Sequence, residues 1–230
     1  MDGQCVARWG GPPGPRGSPW TRTSRLCLFH QQADEGVGRG PGGPPHCVFR
    51  MSDRLPYLAT QSAAPYEGIT PIPVSILLDQ VRSLYNVGAF FRTADAAGCE
   101  KLYLCGITGR PPTPGITKTA LGSQDTVPWE HHADPGTVIQ GLRQRNYEIA
   151  AVETSVHSVD LFDWQPRFPV CILFGHEVDG LGTGLLELCD TYVRIPMLGR
   201  KHSLNVATAG GVVVYELLRK YRRMLDNAKR

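Results

Sequence analysis

Three short stretches of the chain place polar side chains where apolar elements begin or end. Asn86 and Arg92 flank a glycine near the start of an apolar helix, and Glu177 comes just after a buried strand. Ser203 and Asn205 precede a long apolar helix near the C-terminus. A guanidinium, a carboxylate and small polar groups are the side chains that bind and orient a polar or anionic substrate.

Each stretch also has a purely structural interpretation. Ser203 and Asn205 are preferred N-cap residues. Arg92 can reach back to the start of its helix if Asn86 is the N-cap. Because Arg92 lies among Ala, Phe and Thr, its charge needs an ion-pair partner, and Glu177 is a candidate. A salt-bridged structural arginine is the alternative.

The glycine-rich segment 179–184 resembles a nucleotide-binding loop only superficially. A dinucleotide-binding fingerprint opens its βαβ unit and needs most of a domain after it, whereas this segment lies near the C-terminus of a chain of 230 residues. We interpret its glycines as a turn into a helix.

The elements that must position these residues alternate along the chain. Apolar runs predict strands at 74–79, 101–105, 126–132, 147–153, 170–175 and 192–197. Helical patterns occur at 86–98, 135–146, 184–190 and about 204–225, and the Pro-rich loop after 105 ends in at most one helical turn. Strands that alternate with helices indicate an α/β fold with a parallel sheet. In such sheets, ligands bind beyond the carboxyl ends of the strands.

Residues 1–50 differ in composition from the rest of the chain. They contain 10 Gly and 7 Pro, which predicts a disordered tail. Met51 is the expected native start, and a transit peptide is the weaker alternative. The segment has 6 Arg and 3 acidic residues, which accounts for the net charge of +3. The remainder is neutral, so a nucleic-acid partner would have to be held by local patches rather than by the net charge. Without a long apolar run, we expect a cytoplasmic protein with no membrane segment.

Two further features bear on ligands. The seven Cys form no C-x-x-C pair and have no His at ligand spacing, so no metal site is expected. A basic cluster near the C-terminus is a candidate nucleic-acid patch or a solvated helix end; it comprises Arg219, Lys220, Arg222, Arg223, Lys229 and Arg230.

The three stretches share spacings with a known family. They read N-V-G-x-x-x-R at 86–92, G-x-E-x-x-G-L at 175–181 and I-P-M-x-G-x-x-x-S-L-N-V at 195–206. In this order they resemble the three motifs of the TrmH/SpoU branch of the SPOUT RNA methyltransferases. The resemblance covers residues 74–220. It leaves 51–73 as an extension that is too short for a separate RNA-binding domain.

The resemblance implies a parallel-sheet SPOUT domain over 74–230 with a C-terminal trefoil knot, an exception among folds. It implies methyl transfer from S-adenosylmethionine to a ribose 2′-hydroxyl of tRNA or rRNA, in a homodimer that joins through its last helix and shares its active sites. The implied cofactor residues are Gly175, Ile195, Leu204 and Thr154. The implied catalytic residues are Arg92, Asn86, Glu177, Ser203 and Asn205.

Arginine does not normally lose its proton in proteins. We therefore expect Arg92 to clamp the target phosphate and hydroxyl, while Asn86 and Glu177 orient it and Ser203 and Asn205 position the sugar. The small residues 207–211 predict close packing of the last helix, against its dimer mate or within the chain. Two alternatives remain, a SPOUT enzyme that methylates a base and an RNA-binding protein with a vestigial cofactor pocket.

Overall fold

The structure, a computed structural model, describes residues 70–230. The predictions for residues 1–50, for Met51 and for most of the 51–73 extension lie outside these residues. The elements in chain order are β1 (Ile72–Asp79), α1 (Leu84–Ala97), β2 (Cys99–Cys105), α2 (Pro114–Ala120), α3 (Ser123–Thr126), β3 (Trp129–His132), α4 (Pro135–Gln144), β4 (Glu148–Val152), β5 (Val159–Asp160), β6 (Val170–Phe174), α5 (Thr183–Leu186), β7 (Thr191–Arg194) and α6 (Val206–Ala228).

The seven strands form one sheet in the order β3-β2-β1-β6-β4-β7-β5, and every pair is parallel. All five residues of β6 are buried, as are seven of the eight in β1. Helices α1, α2 and α6 pack on one face of the sheet, and α4 and α5 pack on the other. The predicted α/β fold with a parallel sheet is therefore confirmed, and the trefoil knot stays a prediction.

The start of α1 differs from the sequence expectation. Ser83, not Asn86, is the N-cap, and its side chain accepts a hydrogen bond from the Asn86 N–H at 3.3 Å. A serine three residues upstream satisfies the first turn equally well, and it leaves the Asn86 side chain free for other contacts. The helix ends at Gly98, as predicted, because this residue has the left-handed conformation with φ 68°.

The largest differences from the predicted elements lie in connections. The loop after β2 contains two short helices, α2 and α3, rather than one turn, and β5 is a strand of two residues. The helix predicted over 184–190 is only four residues long. Such short elements carry too few residues for a periodic pattern, and tertiary contacts decide them.

Two glycines allow helices to approach closely on the face that carries α1. A Cβ on Gly88 would lie 2.6 Å from the Ile116 carbonyl oxygen of α2, and one on Gly210 would lie 2.2 Å from the buried Phe90 ring. Packing within the chain therefore accounts for Gly210, which is the second of the two alternatives, and the dimer contact of the last helix stays a prediction. A Cβ on Gly211 would meet no atom within 4 Å.

The C-terminal basic cluster is smaller than its sequence suggests. Lys220 is buried, and its Nζ donates to the carbonyl oxygens of Leu161, at 2.7 Å, and Trp164. Burial lowers the pKa of this ammonium. Arg219 forms an ion pair with Glu216. Two of the six cations are thus engaged in the fold, and the other four are exposed. Within residues 70–230 no helix has the length and apolar character needed to cross a membrane.

Candidate active site

Four neighbouring strands bring the three sequence motifs to one edge of the sheet. Strands β1, β6, β4 and β7 lie side by side and are parallel, so their carboxyl ends coincide. The segment after β1 leads into α1, the segment after β6 carries Glu177, and the segment after β7 leads to Asn205. This is the edge where open parallel sheets bind ligands.

The Glu177 carboxylate caps the N-terminus of α1 from a different loop. One oxygen accepts from the Ser83 N–H at 3.0 Å and from the Asn86 side-chain amide at 3.0 Å, and the other accepts from the Arg82 N–H at 3.2 Å. Helix α1 has no acidic residue of its own in its first turn. Because a helix N-terminus favours negative charge, Glu177 supplies the missing carboxylate.

Asn86 connects this carboxylate to the last helix. Its side-chain oxygen accepts from the Asn205 amide at 3.1 Å while its own amide donates to Glu177. The Asn205 oxygen in turn accepts from the N–H groups of Ala207 and Thr208, at 3.0 and 3.2 Å, and so caps α6. Ser203 does not cap this helix, contrary to the expectation. We call the hydrogen-bonded set Glu177, Asn86 and Asn205 the polar triad.

Two opposing effects set the charge of Glu177. Burial raises the pKa of its carboxyl, but hydrogen bonds outweigh burial and hold the pKa below its ordinary value. The donors are the backbone N–H groups of Ser83, Glu177 and Arg82 and the Asn86 amide. The carboxylate is therefore ionised at neutral pH. A carboxylate with a lowered pKa is a weak base, and this one accepts hydrogen bonds from three groups.

A cavity of about 280 Å³ lies beside the polar triad. All four residues implied to bind a cofactor line it, namely Gly175, Ile195, Leu204 and Thr154. Ser203 also lines the cavity, so the structure brings these five residues together. Small-molecule sites have volumes of about 300 Å³ and more, so the cavity is at the small end of that range.

Gly175 is required by the loop that closes this cavity. A Cβ at this position would lie 2.3–2.4 Å from backbone atoms of Gly180 and Leu181, because the chain turns back over the strand end. His176 and Gly180 form a bridge in the same turn. The glycine-rich segment therefore continues as a turn into α5, as predicted.

Arg92 lies apart from the triad, so the predicted pairing with Glu177 is wrong. It is exposed and lines a second groove between α1, α2 and α6 together with Lys118 and Tyr215. No residue of that groove also lines the cofactor cavity. The reason is helical geometry, since six residues turn the Arg92 side chain about 240° away from that of Asn86.

Sequence reasoning missed Glu153. It follows β4, lines the cavity, and accepts from the Leu181 N–H at 2.9 Å through one carboxylate oxygen. The strand predicted over 147–153 included Glu153, so this residue was not recognised as a site residue. The signal that could have identified it is an acidic residue at the carboxyl end of a buried strand. Among residues 70–230, no group of three or more His, Cys, Asp and Glu is placed to hold a metal ion.

The fold and the site define a class, an all-parallel α/β protein whose ligand cavity lies between strand-end loops and an N-capped last helix. The family model of the SpoU rRNA Methylase family matches residues 73–215. The chain belongs to this family.

Relatives and solved structures agree with this membership. A tRNA (guanosine(18)-2′-O)-methyltransferase from Escherichia coli (strain K12) is 32% identical over 147 residues, which is 64% of this chain and 63% of the relative. A 23S rRNA (guanosine-2′-O-)-methyltransferase from Ralstonia nicotianae is 32% identical over 67% of this chain and 61% of the relative. The structure of an AdoMet-bound rRNA methyltransferase from Sinorhizobium meliloti has a TM-score of 0.61 and 32% identity, over 70% of this chain and 60% of that one.

The chain spans 58–66% of the length of the first curated relatives that it matches.

Proposed function

We propose that the chain transfers a methyl group from S-adenosylmethionine to a ribose 2′-hydroxyl of tRNA or rRNA in the cytoplasm. The observation that carries this proposal is the polar triad, which joins three strand-end loops by hydrogen bonds directly beside the cavity. Membership of the family and the activities of the named relatives support the reaction and the substrate class.

The lining of the cavity fits this cofactor. Its apolar wall includes Val152, Ile195 and Leu204, which suit the flat face of an adenine. Glu153 keeps one carboxylate oxygen without a hydrogen-bond partner among residues 70–230, and a carboxylate favours a cationic ligand. When bound, S-adenosylmethionine supplies a methyl group on a positively charged sulfur. Gly175 and Thr154 complete the wall at the ends of β6 and β4.

The residues of the triad orient the substrate rather than exchange protons. Glu177 fixes Asn86, and Asn86 fixes Asn205. Asn205 and the neighbouring Ser203 are both exposed at the start of α6, where they can bind the sugar. Holding a hydroxyl in line with its reaction partner can contribute several kcal/mol, up to about 7–11 kcal/mol in well-oriented intramolecular reactions.

Arg92 is proposed as the clamp on the substrate phosphate. Its guanidinium has no hydrogen-bond or ion-pair partner among residues 70–230 and faces solvent. Arginine stays protonated and binds phosphate through two parallel hydrogen bonds. The phosphate itself is then the proposed acceptor of the hydroxyl proton, since Glu177 is already engaged with three donors.

A homodimer would bring Arg92 and the triad into one site. Within one protomer they line separate places, so a second copy is needed to complete a site that uses both. The exposed face of α6 supports this assembly, because Val212 and Tyr215 are 36% and 51% exposed and lie on one side of the helix. We propose that α6 packs against α6 of the second copy.

The reaction is tested by the alkali resistance of its product. The protein is incubated with methyl-labelled S-adenosylmethionine and unmodified bulk RNA, and the RNA is then hydrolysed in alkali. Alkaline cleavage needs a free 2′-hydroxyl, so ribose methylation leaves label in dinucleotides, and we expect it there.

Label confined to mononucleotides would mean methylation of a base and would overturn the assignment of the site. An absence of label, with the cofactor still bound in calorimetry, would favour the RNA-binding alternative with a vestigial pocket.

A further inference from the structure

The groove that contains Arg92 has a second cation that none of the three motifs includes. Arg92 from α1, Lys118 from α2 and Tyr215 from α6 line it, and it has a volume of about 530 Å³. We call it the cationic groove. Lys118 is exposed and lies in the last turn of α2, within the loop that the sequence predicts to be largely irregular.

Close contact between α1 and α2 places the two cations in the same groove. The hydroxyl of Thr119 donates to the Tyr85 carbonyl oxygen at 3.2 Å, and a Cβ on Gly88 would lie 2.0 Å from that hydroxyl oxygen. Gly88 is the glycine of the first motif. Its lack of a side chain therefore has a direct consequence, because it lets α2 bring Lys118 beside the helix that carries Arg92.

Neither cation is neutralised by a carboxylate of residues 70–230. Asp95, one turn after Arg92 on α1, accepts from the Thr126 hydroxyl at 2.6 Å. Glu216, next to Tyr215, forms its ion pairs with Arg219 and Lys220. Neither acid forms an ion pair with Arg92 or Lys118, so both cations of the groove are without a carboxylate partner among residues 70–230.

An aromatic ring orients the lysine. Its Nζ lies 5.9 Å from the centroid of the Tyr85 ring, at the distance of a cation–π contact. Such a contact restricts the side chain but leaves its charge available. The C-terminal dipole of α2 also favours a cation at this position and is a structural explanation of Lys118. This dipole is small because α2 has only seven residues, and it does not explain why Lys118 lines the same groove as Arg92.

Two unneutralised cations in one groove favour an anion with several oxygens. A guanidinium offers a planar pair of donors, and an ammonium adds a point charge, which together suit a phosphate. Side chains outside α6 border the same place, with Tyr85 54% and Leu121 66% exposed, whereas Tyr215 belongs to the proposed α6 interface. Phosphate-binding cations next to exposed aromatic rings are the combination by which proteins hold unpaired RNA.

We propose that Lys118 is a positioning residue of the RNA site, which holds a backbone phosphate of the substrate together with Arg92. The proposal rests on the proposed function, since it assumes that the substrate is RNA. In a dimer joined by α6, Lys118 would accompany Arg92 into the shared site, because both residues border Tyr215 of that helix.

The test measures how RNA binding depends on salt. A fluorescently labelled, unmodified tRNA transcript is titrated with the wild type, with Lys118→Met, with Lys118→Arg and with Arg167→Met at several salt concentrations. Arg167 is a matched control, because it is exposed, precedes the amino end of β6 and lines a pocket that shares no residue with the groove. Calorimetry with S-adenosylmethionine alone checks that the cofactor cavity is intact.

We expect Lys118→Met to weaken RNA binding about five- to tenfold and to lower the slope of log Kd against log salt by about one. Lys118→Arg should restore both quantities, and Arg167→Met should leave both near the wild-type values. Affinity for the cofactor should not change in any variant. In steady-state assays Lys118→Met should raise KM for RNA more than it lowers kcat.

The proposal is overturned if Lys118→Met binds the transcript with the wild-type slope, or if Lys118→Met and Arg167→Met weaken it equally. It is also overturned if inorganic phosphate binds more weakly to Lys118→Met than to the wild type while both bind the transcript equally.

Failure of the proposed function gives a different result. A slope that depends on Lys118, without alkali-resistant label, would mean that the phosphate contact stands and that ribose methylation does not. Label that appears at the wild-type rate in Lys118→Met, at RNA concentrations below KM, would mean the reverse.

Discussion

The polar triad and the cationic groove differ in how their polar side chains are paired. In the triad, Glu177, Asn86 and Asn205 engage one another and cap two helices, so their hydrogen-bonding groups are largely satisfied within the fold. In the groove, Arg92 and Lys118 keep their full charge and have no carboxylate partner among residues 70–230. Both regions start from the same helix, α1.

This difference separates two tasks. A satisfied network fixes geometry, because each member restricts the next, and it stabilises the loops that surround the cavity. Cations without an ionic partner contribute little to the free energy of folding. Their electrostatic attraction contributes to the free energy of binding when an anionic ligand is present. We therefore propose that the triad orients the substrate and that the groove binds it, and substitutions in the two regions should affect different measurements.

The largest expected effect is that of Arg92→Ala. It removes the proposed phosphate clamp, so methyl transfer should fall by roughly 10²–10³-fold, the range seen when one charge-stabilising donor is removed. Affinity for S-adenosylmethionine should stay within the error of calorimetry, because Arg92 does not line the cofactor cavity. Retention of activity would remove Arg92 from the mechanism.

Adjacent glycines of α6 allow a sharper comparison between packing within the chain and packing between copies. Gly210→Ala places a methyl against the buried Phe90 ring and should destabilise the protein by about 1–3 kcal/mol in denaturant unfolding. Gly211→Ala meets no atom of its own chain, so in a monomer it should stabilise the helix by up to about 1 kcal/mol.

Sedimentation of the same two variants tests the proposed dimer. If α6 joins two copies through its exposed face, Gly211→Ala should weaken association while Gly210→Ala acts on unfolding alone. Equal association of Gly211→Ala and the wild type would argue against close contact of the helices at this residue.

The smallest effect concerns the charge of Glu177. Its pKa in the folded state lies below the ordinary value of 4.5, so the carboxylate stabilises the fold fully above that value. The stabilisation is lost as the pH falls through the lowered pKa. The difference in Tm between the wild type and Glu177→Gln should thus be constant near neutral pH and shrink in acid. A difference that grows in acid would contradict the assigned hydrogen bonds.

Much of the fold follows from long, uniform segments of sequence. Strands such as VCILF and VSILLD are continuous apolar runs, and Gly98 ends α1 as expected because it adopts a left-handed conformation. The position of Glu177 after a strand and that of Asn205 at the start of the last helix could be predicted in the same way. Since parallel strands align their carboxyl ends, residues distant in the sequence meet at one edge.

The details that sequence did not reveal depend on which neighbour a side chain finds. Asn86 was a plausible cap, but Ser83 takes that role and frees Asn86 for the triad. The sequence predicts that Glu177 pairs with Arg92, but in the structure its carboxylate accepts hydrogen bonds from backbone N–H groups of another loop. Lys220 belongs to a basic run in the sequence, yet it is buried in the structure and donates hydrogen bonds to backbone carbonyl groups. None of these choices leaves a periodic signal.

The most direct test of the account is complementation between Arg92→Ala and Glu177→Gln. Each variant alone should transfer methyl groups poorly. If the groove of one copy and the triad of the other form one site, a mixed dimer contains one intact site. Statistical mixing of equal amounts of the two chains should then restore about a quarter of wild-type activity. Activity of the mixture that equals the mean of the two separate variants would contradict a site shared between copies.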